Sequence, residues 1–169
     1  YSSGSMSDIG TLGGDFALGA GINNAGYVVG EASLNNETMP DVHAFLYRDG
    51  VMHDLGTLGG RISSAAAIND DGHITGHSYT DRSVEHAFLY VDGTMIDLGT
   101  LGGGRSFGYG INGLGQVVGT SDVADDLERH AFIFNAGMMT DLNSLIDPAS
   151  GWVLHDARGI NDLGQVAAF

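Results

Sequence analysis

One seven-residue phrase recurs almost evenly along this chain. It reads Asp8-Ile9-Gly10-Thr11-Leu12-Gly13-Gly14, then Asp54-Leu55-Gly56-Thr57-Leu58-Gly59-Gly60, then Asp97-Leu98-Gly99-Thr100-Leu101-Gly102-Gly103. Asp141-Leu142-Asn143-Ser144-Leu145 is a degenerate fourth copy, so the aspartates stand 46, 43 and 44 residues apart. Two further phrases keep the same beat. Ile22-Asn23 returns as Ile68-Asn69, Ile111-Asn112 and Ile160-Asn161, each with a glycine three residues after the Asn. His43-Ala44-Phe45 returns as His86-Ala87-Phe88 and His130-Ala131-Phe132. A period of about 44 residues marks one supersecondary unit, which cannot bury its apolar surface alone and must stack on its neighbours.

Each period holds four strand candidates. The first is rich in Ala and Gly and ends in Ile-Asn, as in Ala65-Ala66-Ala67-Ile68. A turn such as Asn69-Asp70-Asp71-Gly72 leads to a second strand like Tyr27-Val28-Val29-Gly30. Asn, Asp and Gly stand where positive φ is needed. A variable polar loop follows, then the His-Ala-Phe strand. A turn such as Arg48-Asp49-Gly50 then leads to the fourth, Met52-His53-Asp54-Leu55. Adjacent Phe45 and Leu46 must point to opposite faces, and both are apolar, so the sheet is expected to be covered on both sides. No segment carries helical periodicity.

The expected fold class is therefore all-β: tandem four-stranded antiparallel repeats of a β-propeller-like fold, with a β-solenoid of two-rung units as the alternative. Residues 1–5 read as a tag or disordered leader. Residues 6–169 read as a single repeat domain, with repeats at 6–51, 52–94 and 95–138 and a partial one at 139–169. A propeller closes with four or more blades. The partial blade thus predicts completion by, and self-association with, another subunit.

The Asp-Leu-Gly-Thr-Leu-Gly-Gly, Ile-Asn-Asp-x-Gly and His-Ala-Phe phrases, in that fixed order, resemble the HAF repeat, a bacterial repeat described as extracellular. The resemblance runs from Met6 to Phe169, with departures at Ile9, Gly113 and Ala168. It implies an extracellular or cell-surface bacterial protein, with the periplasm as a further setting, and carries over no catalytic residue.

Charge narrows the partners. The sequence has 21 acidic against 6 basic residues and a formal charge of −15. Such a surface repels phosphate backbones and anionic bilayers, which argues against nucleic acid and against membrane association. No apolar run approaches membrane-spanning length, so no membrane insertion is expected. There is no Cys, which removes disulfides, thiolate catalysis and Cys-ligated zinc.

Residues that recur in every repeat are expected to build the repeat. His43, His86 and His130 can tie each unit's loop to a recurrent Asp or backbone group. Asp8, Asp54, Asp97 and Asp141 can hold the Gly-rich turns, and the Ile-Asn asparagines start turns. Function is expected where the repeats differ. The loops before His-Ala-Phe are acidic and bring Asp41, Glu85, Asp125, Asp126 and Glu128 to one face. Asp125, Asp126 and Glu128 are candidates for Ca²⁺, which takes carboxylate oxygens. Trp152, His155, Asp156 and Arg158 depart from the Ala/Gly/Ser pattern and are candidates for a channel or interface. No phosphate loop, dinucleotide fingerprint, zinc motif or nucleophile elbow is present. The expected function is a non-enzymatic binding or structural module for a glycan or protein ligand, with no cofactor other than Ca²⁺. The alternative is a glycan-active hydrolase or lyase using loop or channel carboxylates, whose mark is a carboxylate pair about 5–10 Å apart in a pocket.

Overall fold

The computed structural model describes residues 4–124 and 128–169. Among these, the regular structure is β-strand, with two short 3₁₀ turns at Leu142–Leu145 and Pro148–Ser150. No helix among the described residues is long and apolar enough to cross a membrane.

Among the described residues fourteen strands follow in chain order. The first four are β1 (Ala17–Ile22), β2 (Val28–Ser33), β3 (Val42–Arg48) and β4 (Val51–Asp54). Next come β5 (Gly59–Ile68), β6 (Ile74–Thr80), β7 (Glu85–Val91) and β8 (Thr94–Asp97). They are followed by β9 (Gly102–Ile111), β10 (Val117–Val123), β11 (Arg129–Asn135) and β12 (Met138–Asp141), and finally by β13 (Ala157–Ile160) and β14 (Val166–Ala168).

Consecutive strands pair antiparallel as β1-β2-β3-β4, β5-β6-β7-β8, β9-β10-β11-β12 and β13-β14. One parallel pairing, Val42 with Ile62, joins the first two groups into an eight-stranded sheet. None of the sheets closes into a barrel.

Local chemistry explains the hairpins. Asp49-Gly50, Asp92-Gly93 and Ala136-Gly137 all have positive φ, the signature of two-residue type I′ turns that match the right-handed twist of paired strands. The first-strand turns use their asparagine. Asn23 Oδ1 accepts the N–H groups of Ala25 and Tyr27, and Gly26 takes φ +80°.

The first strands are longer than the Ala-rich cores predict. β5 and β9 start inside the Gly-Gly pair. A side chain at Gly60 would collide with Tyr79 on β6, so the glycines let the strand begin early against its partner.

Each first strand also carries a register shift at the same place, between Gly19 and Gly21, Ala65 and Ala67, Gly108 and Gly110, and Ala157 and Gly159. The skipped residues are Ala20, Ala66, Tyr109 and Arg158. Opposite the shift stand Gly30, Gly76 and Gly119, where a Cβ would run into the carbonyls of Leu18, Ser64 and Phe107.

The core lies between successive groups. Val29, Ala44 and Leu46 pack on Ala65, Ile74 and Phe88. Ala87 and Leu98 pack on Val117 and Phe132. Val118, Ala131 and Leu142 pack on Ala157. Phe45 and Leu46 are both buried, so both faces of that strand are covered.

Candidate functional site

The recurrent histidines pair with the recurrent aspartates. His43 Nδ1 lies 2.8 Å from Asp54, His86 Nδ1 2.9 Å from Asp97, and His130 Nδ1 2.7 Å from Asp141. The same carboxylates accept the N–H of Gly56, Gly99 and Asn143. Each Asp thus fixes the turn that follows it and locks the imidazole of the strand beside it. A serine from the next group completes the joint. Ser63 Oγ accepts from Ala44 N–H and donates to Gly56 O, and Ser106 does the same with Ala87 and Gly99. In these joints the imidazole Nδ1, the Asp carboxylate and the Ser hydroxyl are all engaged in structural hydrogen bonds.

The asparagines do more than form turns. Asn23 Nδ2 donates to Asn69 O (3.1 Å), Asn69 Nδ2 to Asn112 O (2.9 Å), and Asn112 Nδ2 to Asn161 O (3.0 Å). This ladder runs across all four groups. A second ladder runs beside it. Asn24 donates through its N–H and its amide to Asp70, and Gly113 N–H donates to Asp162. The Asn24 backbone and side-chain bonds hold the Asp70 carboxyl below its ordinary value. Ile22, Ile68, Ile111 and Ile160, with Asn23, Asn69 and Asn112, line one polar cavity of about 360 Å³.

Among the described residues, the loop carboxylates Asp41, Glu85 and Glu128 have separate surroundings. Asp41 is tied to Arg61 (2.5 Å), which also donates to Met39 O. Glu85 begins β7 on the side of His77. Glu128 stands 3.6 Å from His130 Nε2 and is exposed. Asp125 and Asp126 lie outside the described residues. Among the described residues no three acidic or imidazole side chains gather as a metal site.

Trp152 is 73% exposed and its N–H donates to Ser150. Asp156 and Arg158 pair with each other at the joint between the last two groups, and His155 bonds back to the start of β11. His155 Nδ1 lies 2.9 Å from Arg129 O, Arg158 pairs with Asp156 at 3.3 Å, and the Arg158 guanidinium sits 3.8 Å from the centre of the Tyr109 ring. Cation–π attraction and planar stacking hold that contact. Burial pushes the Tyr109 phenol up, against the pull of Arg158.

Sequence reasoning missed Tyr109, Phe107, Arg129 and His77. Tyr109 and Arg158 occupy the skipped position of their strands, where the earlier groups carry Ala20 and Ala66. That substitution was visible in the alignment of repeats, but the stacking was not. The Phe107 ring lies 5.1 Å from His77 edge-on and 5.4 Å from the Arg129 guanidinium. Burial holds the His77 imidazole below its ordinary value, against the opposing charges of Glu85 and Glu31.

Two grooves lie between variable loops. One of about 420 Å³ is lined by Met39, Pro40, Arg61, Ile62, Tyr79 and Asp81, among others. Another of about 610 Å³ borders Thr80, Asp81, Arg82 and the His86–Asp97 pair.

A family model described as "Protein of unknown function (DUF3466)" matches residues 54–168, about two thirds of the chain. The chain belongs to the DUF3466 family. This corrects the HAF-repeat resemblance: the shared His-Ala-Phe and Gly-rich phrases are short, whereas the DUF3466 match spans the ordered run of strands from the end of β4 to β14. No curated protein and no solved structure matches the DUF3466 chain.

Proposed function

We propose that this DUF3466 chain is a non-enzymatic binding or structural module made of β-propeller-like blades. Several features support the blade reading over a solenoid. Strands within each group are antiparallel, and the groups meet face to face through apolar clusters. Solenoid rungs would instead continue as long parallel ladders, whereas parallel pairing here is confined to single bridges such as Val42–Ile62. The first strands of all four groups border one cavity.

One observation carries the binding reading. The groove lies where the variable loops at residues 39–40 and 81–83 meet the ends of β5 and β6, and it combines an apolar wall of Met39, Pro40, Ile62 and Tyr79 with polar groups on Arg61, Thr80, Asp81 and Ser83. That combination suits a ligand with an apolar face and hydrogen-bonding edges. Asp41 neutralises Arg61, so the groove favours a neutral glycan or a peptide over an anion. The acidic, cysteine-free composition suits an extracellular or cell-surface setting. A glycan and peptide array, followed by product analysis of each hit, tests the proposal. Binding lost in Tyr79→Ala without turnover supports it; release of a cleaved glycan overturns it.

A further inference from the structure

We propose that the grooves on either side of the turn at residues 80–84 form one continuous track for a neutral oligosaccharide, each groove taking successive sugar units of the same ligand chain. This track extends the groove beside Tyr79 and rests on the binding reading given for it. It adds a second subsite and selects a glycan over a peptide.

The two grooves are equivalent gaps one repeat apart. The first lies between the β2–β3 loop and the ends of β5 and β6, the second between the β6–β7 turn and the start of β9. Thr80 and Asp81 line both, so the grooves meet across that turn. The turn is fixed from within. Thr80 N–H donates to Val84 O (2.9 Å), Ser83 N–H to Thr80 O (3.0 Å) and Arg82 N–H to Thr80 Oγ1 (3.3 Å). Ser83 is held at φ +61°, a left-handed conformation uncommon for a serine. Backbone strain of this kind concentrates at ligand clamps, where a rigid wall lowers the cost of binding.

Both gaps depart from the repeat in ways that open them to a ligand. Beside the residue that faces each recurrent histidine, β6 carries Tyr79 where β2 and β10 carry Ser33 and Asp122. The first groove thereby gains a ring next to Met39, Pro40 and Ile62. Its outer wall comes from a β2–β3 loop of eight residues (34–41), against four (81–84) between β6 and β7. Arg61 ties that loop down through Asp41 Oδ1 and Met39 O. Arg61 follows the second Gly-Gly pair, whereas Gly104 follows the third, and there the groove widens from about 420 to about 610 Å³.

The chemistry of the walls selects a sugar. A pyranose has an apolar C–H face and a rim of hydroxyls. Tyr79 and Ile62 suit the face, and Thr80, Asp81 and Ser83 offer side-chain oxygens to the rim. Arg82 joins Thr80 and Asp81 on the far side of the turn. The Asp81 carboxylate, the Arg82 guanidinium and the Ser83 hydroxyl have no partner among the described residues. A peptide bound as an added strand needs main-chain partners, and the backbone here is already engaged. Gly59 pairs with Thr80, Leu58 N–H donates to Ser78 Oγ, and the Gly60 and Gly103 carbonyls accept from Thr57 and Thr100. A carboxylate accompanies each guanidinium, Asp41 with Arg61 and Asp81 with Arg82, on a chain of charge −15, which disfavours an acidic glycan. Gaps that recur with the repeat match a polymer of like units, and two weak contacts on one ligand chain raise affinity through effective concentration.

The test is calorimetric titration of the whole chain with neutral gluco-, manno- and xylo-oligosaccharides, from the single sugar upward. In a series that binds, affinity is expected to rise by about 10²-fold or more with length and to level off once both grooves are filled. Tyr79→Ala is expected to weaken every length, and Arg82→Ala only the longer ones. Arg82 is exposed, so its variant folds. Amide NMR gives a readout without variants: the single sugar shifts the Ser83 signal, and a long chain shifts Gly103 as well. Binding that depends on Tyr79 but not on length, with Gly103 unmoved, overturns the shared track and leaves the single-groove reading standing. Binding of peptides and of no neutral glycan overturns the choice of ligand and again spares that reading. A chain that binds neither class overturns both.

Discussion

The side-chain amide of Asn69 donates to the backbone carbonyl of Asn112, 43 residues further along the chain, at 2.9 Å. Asn69 is 6% exposed, and its Oδ1 accepts the His73 N–H at 2.8 Å. One side chain therefore closes its own turn and ties it to the next group. Asn69→Ala removes both bonds, leaving the His73 N–H without its acceptor and the Asn112 carbonyl with only the Gly115 N–H, at a cost of about 1–3 kcal/mol. Asn69→Asp separates the two roles. Aspartate is as good a turn former, but it cannot donate, and its charge faces the Asn112 carbonyl. Urea unfolding at neutral pH is expected to rank wild type above Asn69→Asp, with the Asp variant regaining stability in acid as its carboxyl protonates and can donate. Equal midpoints for Asn69→Asp and wild type would show that the inter-group bond contributes nothing.

His73 occupies the position that Gln116 and Gln165 hold in the later turns, where each glutamine accepts from its asparagine. His73 Nδ1 is buried without a partner among the described residues. His73→Gln supplies the missing acceptor for Asn69 and removes the orphan. Stabilisation of about 1 kcal/mol is expected by chemical denaturation, and a loss of stability contradicts the assignment.

Glycines divide into two kinds, and alanine tells them apart. Gly93 has φ +82° with open space around it, so Gly93→Ala meets backbone strain alone, about 1 kcal/mol. Gly76 faces the Ser64 carbonyl where β5 shifts register, and a Cβ there has no room. Gly76→Ala is expected to cost about 3 kcal/mol or more, because backbone must move. Thermal unfolding that ranks the two variants in reverse order refutes this reading of the register shift.

His77 makes stability pH-dependent. Burial lowers its folded pKa below the ordinary value of 6.5, so the fold favours the neutral ring. Below 6.5 the unfolded chain binds the proton more readily than the folded one. Stability is then lost progressively as pH falls from 6.5 through the folded pKa, and levels off beneath it. His77→Gln is expected to remove that part of the slope. A titration of unfolding midpoints in which the variant and wild type keep the same slope between pH 6.5 and the acid limb excludes the role.

The repeat itself was legible because turns and paired strands obey local rules. Asp-Gly and Ala-Gly hairpins, the Ile-Asn turns and the His–Asp joints all follow from residues close in sequence or in strand register. The partners of the loop charges were not legible. Charge adds up along a sequence, but Arg61 on β5 reaches Asp41 beside the neighbouring strand β3 and neutralises it. The family reading also depended on more than short phrases, since the DUF3466 match extends over residues 54–168.

By itself, then, the sequence determined the strands, their turns and the division into similar groups, since these are set by φ preferences and alternating apolar residues within a few positions. Tertiary structure alone decided how the groups join: the direction of the Asn23–Asn69–Asn112–Asn161 ladder, the stacking of Arg158 on Tyr109, and the groove beside Tyr79. Those contacts link residues tens of positions apart, and their geometry depends on how one sheet lies on the next, which no local pattern encodes.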